Sequence, residues 1–170
     1  MEQKSNGYGN ALIEGINNVQ TDFCCIINAD GSMDPKYLEE MRKLCENKDL
    51  IFASRYQKPG GGSDDDDFVT IIGNAVFTFL GNFLFKLKIS DILYTYILGK
   101  TSSFQKLDLK NYDFRICAEI PIRAKILNME YSCIPSYERE RIGGKKKVNA
   151  IKDGLLILSE IVKYFYKGKI

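Results

Sequence analysis

Phe23-Cys24-Cys25-Ile26-Ile27-Asn28-Ala29-Asp30-Gly31-Ser32 is the stretch on which the fold turns. Five apolar residues in a row, with no polar alternation, mark a strand covered on both faces. Asn28 to Asp30 break the run, and Gly31-Ser32 supply a turn. Pro35 then opens a helix over 36–46, with Asp34 placed to cap it. Upstream, 10–19 reads as a short helix, because Leu12, Ile16 and Val19 share a face. Downstream, Leu50-Ile51-Phe52-Ala53 is a second short buried strand. Helix, strand, helix, strand predicts an α/β fold with a parallel sheet.

The rest of the chain extends one domain over 1–170. Residues 58–67, KPGGGSDDDD, read as a flexible Gly/Asp loop, since three glycines and four aspartates are expected to stay solvated. The spaced ligands of a calcium loop are absent there. Phe68 to Phe85 carries no charged residue across 18 positions, a borderline membrane length. Thr70, Asn74, Thr78 and Asn82 recur every four residues, a polar stripe on one helical face. The reading is an amphipathic helix whose apolar face packs on the core or lies at a membrane surface. Residues 90–98 read as strand or turn, 116–127 as a helix, 129–134 as a strand, and 137–147 as a charged loop. An amphipathic helix over 149–167 closes the chain. No internal repeat is visible.

Composition narrows the chemistry. The 170 residues are 45% hydrophobic and 27% charged, the mix of a folded soluble protein. There is no histidine, which removes His-based triads, His-ligated zinc and His as general base. The net charge of +2 is too balanced to argue for nucleic acid, and no nucleic-acid partner is expected. Charge is nevertheless polarised: residues 1–67 hold 13 acidic and 7 basic side chains, and residues 138–170 hold 4 and 9. That pattern predicts an acidic site early and an anion-facing surface late. The five cysteines form no CxxC pair and read as buried free thiols in a reducing compartment. The polar start, MEQKSNGYGNAL, has no signal-peptide core, so a cytoplasmic location is expected, with peripheral contact to a membrane.

Two segments could carry chemistry. Asp30 stands at the carboxyl end of a buried strand, where α/β sheets bind ligands. It reads either as a ligand for Mg²⁺ or Mn²⁺ or as a turn aspartate capping the next helix. Tyr137-Glu138-Arg139-Glu140-Arg141-Ile142-Gly143-Gly144-Lys145-Lys146-Lys147 reads either as a phosphate-wrapping loop or as a solvated basic one.

Taken in order, GYGNALIEGI (7–16), the apolar strand, NADGSMDP (28–35), SRY (54–56), the GGG loop, the long helix, Ser90-Asp91, and ERERIGGKKK with NAIKDGLLIL (138–158) resemble the family-2 glycosyltransferases. The similarity is greatest to the polyprenyl-phosphate, dolichol-phosphate-mannose-synthase-like branch. It implies a partial nucleotide-diphospho-sugar transferase (GT-A-like) fold, a mainly parallel mixed sheet flanked by helices. It implies a nucleotide-sugar donor, a divalent metal, and a lipid phosphate acceptor at a membrane. By the same resemblance Asn28-Ala29-Asp30 falls on the family's Asp-x-Asp motif, so Asp30 holds the metal and Asn28 lies beside the donor. Arg55 lies near the donor. Asp91 and Glu119 lie on the acceptor side, where a hydroxyl acceptor would need one of them as base. Arg139, Arg141 and Lys145 lie on the loop that closes over phosphates.

The chain also departs from the family. Asn28 replaces the first Asp of Asp-x-Asp. No Gly-Phe-Arg run follows Ser90-Asp91. The family's front half, with its Val-Ile-Ile-Pro strand and Asp-Asp-Gly-Ser segment, has no counterpart here. A complementary N-terminal half or a second copy is therefore expected on the open sheet edge. The alternative reading is a non-catalytic partner subunit, or pseudo-glycosyltransferase, that binds a membrane or a complementary chain.

Overall fold

A computed structural model describes residues 6–143 and 149–167. The first half runs α1 (Tyr8–Asn18), β1 (Phe23–Ile26), a 3₁₀ turn (Pro35–Tyr37), α2 (Leu38–Leu44), β2 (Leu50–Ser54), β3 (Gly62–Ser63) and α3 (Phe68–Phe85). The second half runs β4 (Ile97–Lys100), α4 (Thr101–Lys106), α5 (Ile116–Ile126), β5 (Tyr131–Pro135), β6 (Tyr137–Glu138) and α6 (Ala150–Lys167). The helix expected over 36–46 is thus split. Asp34 caps its opening turn, accepting from the Lys36 amide at 3.0 Å.

The main sheet has the order β1-β4-β2-β5. β2 and β5 pair in parallel, from Leu50 opposite Tyr131 to Ser54 opposite Pro135. β4 runs against both of its neighbours, β1 and β2. Three of the four strands therefore share one direction, and their carboxyl ends lie at the same edge. β3 and β6 form a small parallel pair beside them.

The strands are apolar on both sides because both sides are covered. Cys24, Ile26, Leu50 and Phe52 face α1, α4 and α5. Ile51, Ala53 and Leu98 face α2 through Met41 and Cys45. Helix α5 is buried nearly all round, since α3 and α6 pack on its far side through Ala118, Ile122, Ile157 and Ile161. The five cysteines are free thiols. Burial pushes Cys117 and Cys25 up to about 12 and Cys133 up to about 11, so none of the three is a ready thiolate.

Helix α3 has the predicted span, but its polar stripe turns inward. Asn74 accepts from the Leu93 amide at 3.1 Å, and Thr78 Oγ1 accepts from Ile92 N at 3.1 Å. Asn82 bonds both the amide and the carbonyl of Ile89. The opposite face is apolar and open to solvent, with Phe79 66% and Phe83 71% exposed. By length and composition α3 could cross a membrane, and only 17% of it is buried.

The Gly/Asp loop also differs from expectation. Gly62–Ser63 is paired as β3, and each aspartate that follows has a partner. Asp64 accepts from the Tyr137 hydroxyl, and Asp65 is paired with Arg141. Asp66 accepts from Arg55 and Tyr56, and its side chain is 3% exposed. Asp67 caps α3 through the Thr70 amide at 2.8 Å. Tertiary partners explain the difference: Asp65 and Asp66 meet Arg141 and Arg55, and Asp64 meets Tyr137, which the run alone does not announce.

Candidate functional site

The site is built at the carboxyl ends of β1 and β2. Beyond β1 the chain turns at Asp30-Gly31-Ser32. Asp30 Oδ1 accepts from the Ser32 amide at 3.1 Å and from Ser32 Oγ at 2.8 Å, a local turn that leaves Oδ2 without a part in it. Gly31 has φ +81, and a Cβ there would lie 2.6 Å from Ile142 Cδ1. The left-handed φ is what favours glycine, since the exposed Ile142 side chain could move aside.

Residues 139–142 lie across this turn as a flap. Arg139 N donates to Ser32 O at 2.9 Å and Ile142 N to Asp30 O at 2.8 Å. Arg139 pairs with Asp34. Arg141 binds both oxygens of Asp65, and its Nη1 stands 3.9 Å from Asp30 Oδ2. The hydrogen bonds that Arg141 donates to Asp65 are the main reason that it holds its proton above the usual arginine value.

Arg55 is the buried centre of a second group. Its Nε and Nη2 grip Asp91 at 2.8 and 3.0 Å. Its Nη1 donates to Asp66 at 2.9 Å and to Glu138 at 3.2 Å. The guanidinium lies 4.6 Å from the Tyr94 ring centre. Burial works against its charge, but Asp91, Glu138 and Asp66 together hold the proton well above the ordinary value. Burial raises Glu138 above the usual carboxylate range, with Arg55 pulling in the opposite direction.

These groups surround a cavity of about 480 Å³. One wall is ionic: Asp30, Arg55, Asp65, Asp66, Glu138 and Arg141. The other is aromatic and apolar, with Tyr8, Leu93, Tyr94, Phe114 and Cys117. Tyr8 stacks on Phe114 at 4.9 Å, and its hydroxyl pairs with Thr95. Thr70 of α3 and Ile157 of α6 complete the lining.

Of the residues named from sequence, Asn28, Asp30, Arg55 and Arg141 line this cavity. Arg139 sits on the flap against Asp34, 60% exposed, and is not among the lining residues. Lys145 lies outside the described residues. Asp91 is placed behind Arg55, fully buried and bound to it, rather than at the cavity surface. Glu119 is not brought to the cavity at all. It is buried and accepts four hydrogen bonds, from Lys110 N, Asn111 N, Asn111 Nδ2 and the Tyr164 hydroxyl. Sequence reasoning missed Asp65, Asp66, Glu138 and the Tyr8–Phe114 wall. The opposite charge bias of the two chain ends hinted only at a pairing such as Asp65 with Arg141; Asp66 and Glu138 gather on Arg55 and had no such signal.

Asp30, on the same cavity as Asn28, suits a divalent cation that takes most of its ligands from phosphate oxygens and water. Among the described residues no cluster of three or more acidic, Cys or His side chains could hold one without such help.

The family model for glycosyl transferase family 2 matches residues 1–108. The chain belongs to glycosyl transferase family 2. Among solved structures, this family-2 chain is similar to glucosyl-3-phosphoglycerate synthase from Mycobacterium tuberculosis, solved in complex with uridine diphosphate. The match has a TM-score of 0.63 at 12% identity, covering 95% of this chain and 56% of that one. The shared architecture is the nucleotide-diphospho-sugar transferase fold, and this chain spans little more than half the length of the structure it matches.

Proposed function

We propose that this chain carries the diphosphate-facing and acceptor-facing part of a glycosyltransferase. It would move a sugar from a nucleoside diphosphate to a polyprenyl phosphate or another phosphate-bearing acceptor. The convergence of Asp30 and Arg141 on one cavity carries the reading. The uridine diphosphate in the similar structure supports a nucleotide-sugar donor.

In the transfer, the bond from the anomeric carbon to the donor phosphate breaks, and its electron pair goes to the phosphate oxygen. A new bond forms from that carbon to the acceptor oxygen. Arg141, aimed into the cavity from the flap, would bind the departing phosphate by a charge-assisted, forked contact. Asp30 and Asn28 would hold Mg²⁺ or Mn²⁺, which when bound supplies further neutralisation of that growing charge. The aromatic wall gives a sugar or base ring a flat apolar face. A phosphate acceptor is already an anion and needs no base. That fits a site in which Asp91 and Glu119 are both consumed by internal hydrogen bonds.

Calorimetric titration with uridine or guanosine diphosphate, with and without Mn²⁺, tests the proposal. Binding should need the metal and weaken about tenfold or more in Asp30→Ala and in Arg141→Ala. Metal-dependent binding that ignores both substitutions would overturn it.

The second reading is a non-catalytic or pseudo-enzyme subunit that works with another chain. Its support is that β1 is an edge strand and that Asn28 stands where the family's first carboxylate would be. Under this reading a nucleoside diphosphate binds only when a complementary N-terminal half is supplied.

A further inference from the structure

We infer that the outward faces of α3 and α6 dock on an anionic lipid bilayer, lying in its interface rather than crossing it. The inference stands on helix faces and does not require the transfer reading.

Helix α3 is amphipathic in the reverse of the usual sense. Asn74, Thr78 and Asn82 point inward, where backbone groups at 89, 92 and 93 satisfy them. On a 3.6-residue helix, Ile72, Val76, Phe79 and Phe83 then share the opposite face, and all four are exposed. The helix cannot roll to hide them without breaking the inner bonds. Nor can it leave the body to span a membrane, because those polar side chains would enter hydrocarbon unpaired.

Helix α6 continues the same surface. Phe85 at the end of α3 meets Phe165 of α6 edge-on at 6.4 Å, and Phe77 packs over Gly154. Along α6, Ile157 and Ile161 are buried, while Leu155, Leu158, Val162 and Phe165 extend the apolar arc onto the surface. A soluble helix rarely leaves so wide an arc uncovered on two neighbours at once.

Charge selects the occupant. No acidic residue lies within α3, and exposed Lys86 and Lys88 follow directly at its end. Exposed Lys152 and Lys167 flank the apolar arc of α6. Lysines bordering an apolar strip match phosphate headgroups above acyl chains. A second copy of the chain would present the same sign of charge. The same two helices supply Thr70 and Ile157 to the lining of the cavity, so the docking face and the cavity share their supporting elements.

Vesicle flotation tests this, using phosphatidylcholine vesicles with and without phosphatidylglycerol. The chain should float with the anionic vesicles and lose affinity as salt is raised. The double variant Phe79→Ser/Phe83→Ser should reduce partitioning about tenfold or more. The pair Lys86→Glu/Lys88→Glu should abolish the preference for anionic lipid. Both variants should keep the thermal midpoint of the parent, since all four side chains are exposed. A folded parent chain that stays in the aqueous phase would overturn the inference. So would a lipid-free dimer that the phenylalanine variant dissociates. A chain that floats but binds no nucleoside diphosphate would count against sugar transfer and leave the docking surface standing.

Discussion

Arg55 has three carboxylates around it and one positive charge to share among them. That environment fits it to hold Asp91, Asp66 and Glu138 together, and leaves little of its fork for a donor phosphate. Removing the cation would leave three buried anions facing one another. Arg55→Met should cost about 3–5 kcal/mol in urea unfolding. Glu138 adds a pH signature. Its folded value is raised above the ordinary 4.5, so the folded state keeps that proton to higher pH than the unfolded state does. Its contribution to stability is full below the ordinary value and is lost as pH rises through the raised one. Glu138→Gln, which stays neutral, should flatten that fall in urea-derived stability measured from about pH 4 to 7. An unchanged slope would place the effect on another group. Asp30 was legible in the sequence because a carboxylate straight after a buried strand has few other places to be. Asp65 and Asp66 were not. A run of four aspartates looks the same whether water or arginine satisfies it, and Arg141 is 76 positions away from Asp65.

At the scale of elements, the strands of 23–26 and 50–54 and the span of α3 follow from apolar runs and their breaks. The facing of α3 does not. Its period-four polar stripe is plain in the sequence, but average hydrophobicity favours burying the other face. What reverses the choice is the irregular stretch 89–93, which forms no ladder and brings amides that need acceptors. Asn82, Thr78 and Asn74 supply them. A buried backbone group left unpaired costs about 1–3 kcal/mol. Asn82→Leu orphans two such groups at Ile89, so it should destabilise by about 2–5 kcal/mol although it makes the helix more apolar. Phe79→Ser, on the outer face, should change stability by less than about 0.5 kcal/mol in the same urea assay. Equal losses for the two would mean that the helix faces are assigned the wrong way round.

Across the whole molecule, the acidic segment 1–67 and the basic segment 138–170 meet at the flap. Arg139 reaches Asp34, and Arg141 reaches Asp65 and approaches Asp30. Arg141, held here by Asp65, is the arginine proposed to receive phosphate, so on that reading it would trade one anion for another. Partly exposed ion pairs are worth about 0.2–1 kcal/mol each and are screened by salt. The backbone bonds from Arg139 to Ser32 and from Ile142 to Asp30 then depend on pairs that ionic strength can loosen. Hydrogen exchange at these two amides measures the dependence directly. Both should be protected at low salt and exchange several-fold faster near 1 M, where charges more than about 3 Å apart are screened. Arg139→Ser/Arg141→Ser should show the faster exchange already at low salt, and added salt should change it no further. Amides that ignore both salt and substitution would mean that main-chain bonds alone hold the flap, and that Arg141 is spare for an incoming phosphate without giving up Asp65.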